Sequence, residues 1–276
     1  MDSVNNPLRQ YFRRPAVYLK LPSGGKGYTP DVLTIPESGE IPVYPMTAID
    51  EITVRTPDAL FNGTAIAELI KSCVPDIKDP WKITSVDFDA VLIAIKAAGG
   101  TGELEIESSC PNCKEDAKYA LNLMRVLATM EAGDYTNPLV VNELQFKFRP
   151  LTYREMNEAS LGQFEIQRLF ASTALKEDDE EKNAIIQDAY KKVTELTIQL
   201  LTQGIEFIKT PTAMVTEKEY ILDFLRNCDR TAYITVRDHS ADLRMKTEMK
   251  PLDVKCIHCN HEYKQPFTLN PADFFA

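Results

Sequence analysis

Four of the six cysteines in this 276-residue chain fall into two C-x-x-C pairs, Cys110-Pro-Asn-Cys113 and Cys256-Ile-His-Cys259. A tight turn at this spacing aims two sulfurs at one point, and two such turns supply the four thiolates that zinc takes in a closed structural site. The pattern predicts one structural zinc held by Cys110, Cys113, Cys256 and Cys259. An iron–sulfur cluster uses the same four thiolates and is the alternative metal group; free thiols are the third possibility. A redox role for either pair would want a thioredoxin-like βαβ setting, which neither has. His258 and His261 lie close enough to replace a cysteine, but beside four cysteines they read as outer partners of the site or as solvated residues. Cys73 and Cys228 sit in the helical patterns AELIKSC and ILDFLRNC and read as small buried hydrophobes.

The flanks show what must position these sulfurs. ELEIES precedes and KYALNL follows the first pair; PLDVK and EYKQPFTLN bracket the second. Each reads as strand, knuckle, strand, with Tyr119 and Tyr263 a few residues on, which is the organisation of a zinc ribbon. Residues 114–255 separate the halves, where a small ribbon has a gap of roughly 15–20 residues. The expected fold class is therefore α+β: a helical body inserted between the two halves of a four-cysteine zinc-ribbon-like module, with an extended N-terminal arm. The expected boundaries are 1–55 for the arm with short strands, 56–104 for a helical segment, 105–125 and 250–270 for the split ribbon, and 126–249 for a mainly helical insertion.

Within those boundaries, AVYLKL, DVLTI and ITV read as short extended runs broken by PSGGKG and PESGEIPVYP. With little capacity for a core of its own, the stretch from residue 1 to about 40 is expected to order against a partner. Thr56-Pro57-Asp58 has the residues of a helix start, with Asn62-Gly63 a potential break and Pro75 a stop. Phe88, Val91, Leu92 and Ile95 predict a helix over about 86–98, and LNLMRVLATM reads as strand or helix. ELQFKFRPL alternates as a strand arm. Helices are expected over about 153–175, 180–203, 217–228 and 230–247, with capping boxes at Thr152/Glu155 and Thr216/Glu219. KEDDEEK at 176–182 reads as a solvated loop and acidic helix start. Two adjacent phenylalanines, Phe274 and Phe275, either fold back on the ribbon or anchor in a neighbouring subunit.

The bulk numbers narrow the function. With 44% apolar residues the chain can bury a core, and its net charge of −10 argues against a surface made to neutralise phosphates. Arg9, Arg13 and Arg14 beside Tyr11 and Phe12 read as a docking arm rather than a nucleic-acid site. No stretch reaches the roughly 18 apolar residues of a membrane span, and MDSVNNPLRQYFRRP lacks the apolar core of a secretory signal, so a reducing cytoplasm is the expected setting. No nucleophile elbow, phosphate-cradling loop or dinucleotide fingerprint is present. His239, in VRDHSADLR, is the one imidazole outside the second knuckle and reads as an exposed helix residue. The expectation is a non-enzymatic protein with no catalytic residues.

The words MTAIDE, TPDALFNG and CVPDIKDPW, followed by CPNC, carry a resemblance. Over about residues 15–125, and again at the C-terminal cysteine pair, the chain resembles the baseplate-hub subunit family of T-even-type contractile-tailed bacteriophages. Met46, Asp50, Glu51, Thr56, Pro57, Asp58, Asn62, Gly63, Cys73, Pro75, Asp79 and Trp81 match its motif, with packing or contact as their implied duty. The resemblance implies a structural part of the virion tail baseplate, assembled in the bacterial host cytoplasm and incorporated in multiple copies beside other phage baseplate and tail proteins. A transient hub-assembly chaperone absent from the mature virion is the alternative role.

Overall fold

The computed structural model describes residues 7–56, 63–173, 178–267, 269, 274 and 275. A 3-10 turn at Pro7–Tyr11 leads into β1 (Val17–Leu19), β2 (Ile41–Val43), α1 (Ala48–Val54), α2 (Thr64–Cys73), α3 (Ser85–Ala98), β3 (Glu103–Ser109), β4 (Asp116–Asn122) and α4 (Leu123–Thr129). Then follow β5 (Leu139–Val141), β6 (Leu144–Phe148), α5 (Tyr153–Thr173), α6 (Asp179–Gly204), β7 (Ile205–Lys209), β8 (Met214–Val215), α7 (Lys218–Asn227), α8 (Arg230–Thr247), β9 (Leu252–Lys255) and β10 (Glu262–Gln265). The mixture of helices and small antiparallel sheets is α+β. Two compact units divide the chain: Met1–Pro80, Asp87–Met130 and Met249–Ala276 in the first, Trp81–Val86 and Glu131–Glu248 in the second.

The first unit is built on α3. Its sequence is predominantly apolar; Asp89 and Lys96 are half-buried on one side, and Phe88, Val91, Leu92, Ile93 and Ile95 are all buried. Asp87 lies fully buried among them and accepts from the Ser23 amide (3.0 Å), the Ser23 hydroxyl and the Tyr28 hydroxyl (2.7 Å). A buried carboxylate is tolerated only when so satisfied, which gives the PSGGKG turn a structural task. In α2 one face is buried, through Ala65, Ile66, Leu69, Ile70 and Cys73, while Glu68 and Lys71 stay exposed. Gly63, at φ 78°, immediately precedes α2; this left-handed backbone suits glycine and sets the helix start at Thr64. The expected start at Pro57-Asp58 lies outside the described residues.

Residues 16–44 pack into this unit's core, whereas the expectation for residues 1 to about 40 is ordering against a partner. Leu19, Leu21, Val32, Leu33, Ile41 and Val43 are all buried. β1 pairs antiparallel with β2, Leu33 bridges Ile77, the Tyr44 amide donates to the Cys73 carbonyl (2.8 Å) and the Lys78 amide to that of Val32 (2.8 Å). Two local readings also change. IPV, taken as part of a break, is β2, and ITV, taken as extended, ends α1. The missed signal is a capping box, in which the Asp50 amide donates to Thr47 Oγ1 (3.2 Å) and the Thr47 amide to Asp50 Oδ2 (2.7 Å). Phe274 and Phe275 fold back onto their own unit, buried edge to face with Lys96 of α3 at 5.7 and 5.9 Å from the ring centres.

In the second unit an antiparallel sheet runs in the order β5-β6-β7-β8. Phe146, Phe148, Ile205 and Ile208 from its inner face pack with Leu201 of α6, Ile221 and Leu225 of α7, and Val236 and Leu243 of α8. β5 and β6 meet at a two-residue turn where Asn142 takes φ 56°. The expectation of a mainly helical insertion overlooked β7 and β8, because β7 follows Gly204 of α6 with no intervening loop. The Thr152/Glu155 capping box forms and is reinforced by Arg149 on the Glu155 carboxylate. The box expected at Thr216/Glu219 does not form, since α7 starts from Glu217 without a side-chain cap. α6 starts beside Asp178, whose carboxylate accepts from the Glu180 amide (2.9 Å); residues 174–177, which include the start of the charge run, lie outside the described residues.

Candidate metal centre

Each C-x-x-C pair occupies a six-residue loop between paired strands: Ser109 pairs with Asp116 across the β3–β4 hairpin, and Lys255 with Glu262 across β9–β10. The loops repeat one another bond for bond. Lys114 N donates to the Cys110 carbonyl and Asn260 N to the Cys256 carbonyl, each at 2.9 Å. Cys110 N donates to the Glu115 carbonyl (3.0 Å) and Cys256 N to that of His261 (2.9 Å). Both loops turn through a left-handed residue, Lys114 at φ 63° and Asn260 at φ 57°. Asparagine accepts that region readily; lysine does so less often, so half of this repeat is invisible in residue type.

The structure brings all four predicted sulfurs together. They lie within 4.8 Å of one another, Cys110 to Cys259 at 3.7 Å and Cys113 to Cys256 at 3.6 Å. A tetrahedron with metal–sulfur bonds of about 2.3 Å has sulfur–sulfur edges of about 3.8 Å, so the two cross-hairpin edges fit a metal such as zinc. Cys110 and Cys256 are buried and Cys113 and Cys259 half-buried. The His261 amide and the Asn112 side chain pull Cys259 down to about 6. Cys113 is pushed up to about 12: the Glu115 amide favours its thiolate, but desolvation and the three neighbouring sulfurs outweigh it. The Cys113 thiol thus resists ionising beside its neighbours, and a divalent cation would relieve that cost while displacing its proton.

Other contacts tie the hairpins together. The Ser108 hydroxyl, buried on β3, meets the Tyr263 hydroxyl at 2.8 Å and donates to Gln265 Oε1 at 2.6 Å on β10. Nothing in the spacing of Ser108 marks it; only the hairpins' juxtaposition gives it partners. His258 and His261 are exposed and stand outside the ligand cluster among the described residues, with His261 stacked near Tyr263. Cys73 is buried in α2 and Cys228 half-buried after α7, both away from the cluster. His239 is not an exposed helix residue: it packs against Phe148 at 5.2 Å with its Nε2 buried and unpartnered, and burial lowers its pKa.

Among the motif residues at the start of the chain, Asp50, Cys73 and Trp81 are engaged in capping or packing, while Glu51 and Thr56 are exposed. Asp50 caps α1 and pairs with Arg13 (3.2 Å); Arg13 also donates to Pro45 O, Ser72 O and Ser72 Oγ. Cys73 sits in the core, and Trp81 stacks on Tyr153 at 4.9 Å under the Arg154 guanidinium. Pro57, Asp58 and Asn62 lie outside the described residues. The family model described as T4 bacteriophage base plate protein matches residues 16–276. The chain belongs to that family. No curated protein and no solved structure matches it. No described helix of this base plate protein is long and apolar enough to cross a membrane.

Proposed function

We propose that this base plate protein is a non-enzymatic structural part of a contractile phage tail, a hub or hub-associated component folded around one structural zinc. The family match over residues 16–276 carries the reading, and the four converging sulfurs offer a ligand set for the metal. Cys110, Cys113, Cys256 and Cys259 would hold the ion, closing two hairpins that lie far apart in sequence into one rigid module. The unit that contains both hairpins is interrupted in sequence by Glu131–Glu248, which supports the reading of a body inserted into a split ribbon. The working site is then the virion tail baseplate, with assembly in the host cytoplasm, contacts to other baseplate and tail proteins, and incorporation in multiple copies.

Elemental analysis of freshly purified protein tests the metal: one zinc per chain is the expected result. Iron with a visible absorption band, or no stoichiometric metal, overturns that part. Mass spectrometry of purified phage particles tests the role, with the protein expected among the tail components. Its absence from particles that cannot be assembled without the gene would assign it to the transient chaperone role instead.

A further inference from the structure

Charge along this chain is sharply segregated. Residues 3–30 hold Arg9, Arg13, Arg14, Lys20 and Lys26 and no carboxylate, so the rest of the chain is more acidic than its total of −10. Within the basic stretch, Arg13 is committed to Asp50 and to the Ser72 and Pro45 carbonyls. Those bonds fix the local backbone, and Arg9, Arg14 and Lys20 stay exposed around it. Between them stand Tyr11, Phe12 and Tyr18, exposed to 77%, 58% and 60%. Large aromatic side chains alternating with cations on an anchored segment have the composition of a binding anchor. On β3 the alternation of a strand puts Glu103, Glu105 and Glu107 on one exposed face. Glu115 and Asp116 stand exposed at the end of that hairpin, and Lys118 is a cation set among the carboxylates.

We propose that the basic–aromatic segment spanning residues 9–20 docks onto the acidic β3–β4 face of a second copy of this chain. The proposal rests on the multiple-copy reading and names its surface. Because donor and acceptor are different patches, the contact either closes reciprocally in a two-fold dimer or propagates head to tail, as rings and filaments do. A nucleic acid is the competing occupant of a basic–aromatic strip. The surrounding acidity opposes it, since phosphate backbones are held by many cations over a wide surface. A second copy presents the opposite sign instead, and opposite patches both attract and orient their partners.

Sedimentation velocity of the full-length, metal-loaded protein in 50 mM and 500 mM salt tests the proposal. The expected result is concentration-dependent association at low salt that weakens at least tenfold at high salt. The double variant Arg9→Glu/Arg14→Glu should remain monomeric, and Tyr11→Ser should weaken association without altering charge. Mixing Arg9→Glu/Arg14→Glu with Glu103→Lys/Glu107→Lys should restore a mixed complex that neither variant forms alone. All substituted side chains are exposed, and unchanged circular dichroism and metal content confirm the folded state. A wild-type monomer at every concentration overturns the proposal, as does association that survives charge reversal. Tight binding of a fluorescent 30-base-pair duplex, lost with the same arginines while the protein stays monomeric, reassigns the strip to nucleic acid. None of these outcomes bears on whether the protein is found in purified particles, so the two readings fail separately.

Discussion

The β3–β4 and β6–β7 pairs are both antiparallel, yet they stay folded by different means. β3–β4 has seven residue pairs, but apart from the cysteines at its tip only Ser108 and Ala117 are buried. β6–β7 is shorter and irregular, with a register shift at Lys147/Phe148, yet it buries Phe146, Phe148, Ile205 and Ile208 beneath three helices. An isolated two-stranded hairpin is marginal in water, whereas apolar burial contributes roughly 25 cal/mol per Å². Regular pairing therefore does not determine which strand pair is stable. The second pair is held by its side chains; the first, on the proposed function, would rely on its sulfurs and the metal they hold.

Cys113→Ser should break that contrast most severely. On the order of 10 kcal/mol of metal binding is at stake in a closed thiolate site. Hydrogen exchange should show β3–β4 and β9–β10 losing protection with the metal while β6–β7 keeps its own. Cys73→Ser, with a buried thiol outside the cluster, should lower the melting temperature slightly and leave the metal bound. Equal behaviour of the two variants would remove the metal from the account of the ribbon.

Phe146→Ala tests the other side. Phe146 is fully buried among apolar side chains, so its truncation should cost about 3–5 kcal/mol in urea unfolding of the second unit, with metal content unchanged. Loss of the metal in this variant would show that the two regions do not stand independently.

The C-terminal phenylalanines sharpen the comparison within the unit that carries the four clustered cysteines. Phe274→Ala partly uncovers Lys96 of α3 and should destabilise that unit by about 1.5–3 kcal/mol, with metal content unchanged. An unchanged stability together with failure to complement a phage lacking the gene would move Phe274 from core to partner anchor.

The smallest effect concerns Arg13. Burial alone would raise the Asp50 carboxyl, but bonds from Thr47 and Ser72 and the Arg13 charge outweigh it and hold the pKa below the ordinary value. A carboxyl depressed in the folded state contributes stability above its unfolded pKa and loses it as the pH falls through the folded one. Arg13→Ala should therefore cost about 1–2 kcal/mol at pH 7 and less as the solution is acidified. A loss that stays constant down to pH 2 would show that packing, not charge, is what Arg13 supplies.

Some of this was legible in the chain because it depends on neighbours in sequence. Two sulfurs three residues apart must share a turn, so the two knuckles and their flanking strands followed from spacing. The Thr152/Glu155 cap and helix α3 followed from contacts three and four residues apart. The resemblance carried by MTAIDE and CVPDIKDPW pointed to the family. Tertiary structure alone decided the rest. Strand β7 continues directly from α6 and becomes a strand because β6 lies ready to pair with it. Leu33 and Val43 become core residues because Ile77 bridges Leu33 and the Cys73 carbonyl accepts from the Tyr44 amide beside Val43, and Asp87 can be buried because Ser23 and Tyr28 reach it from about sixty residues away. Phe274 finds its place beside Lys96 in the same way. In each case the deciding partner is remote in sequence, and a local pattern cannot hold the energy of a contact that exists only after the chain has closed.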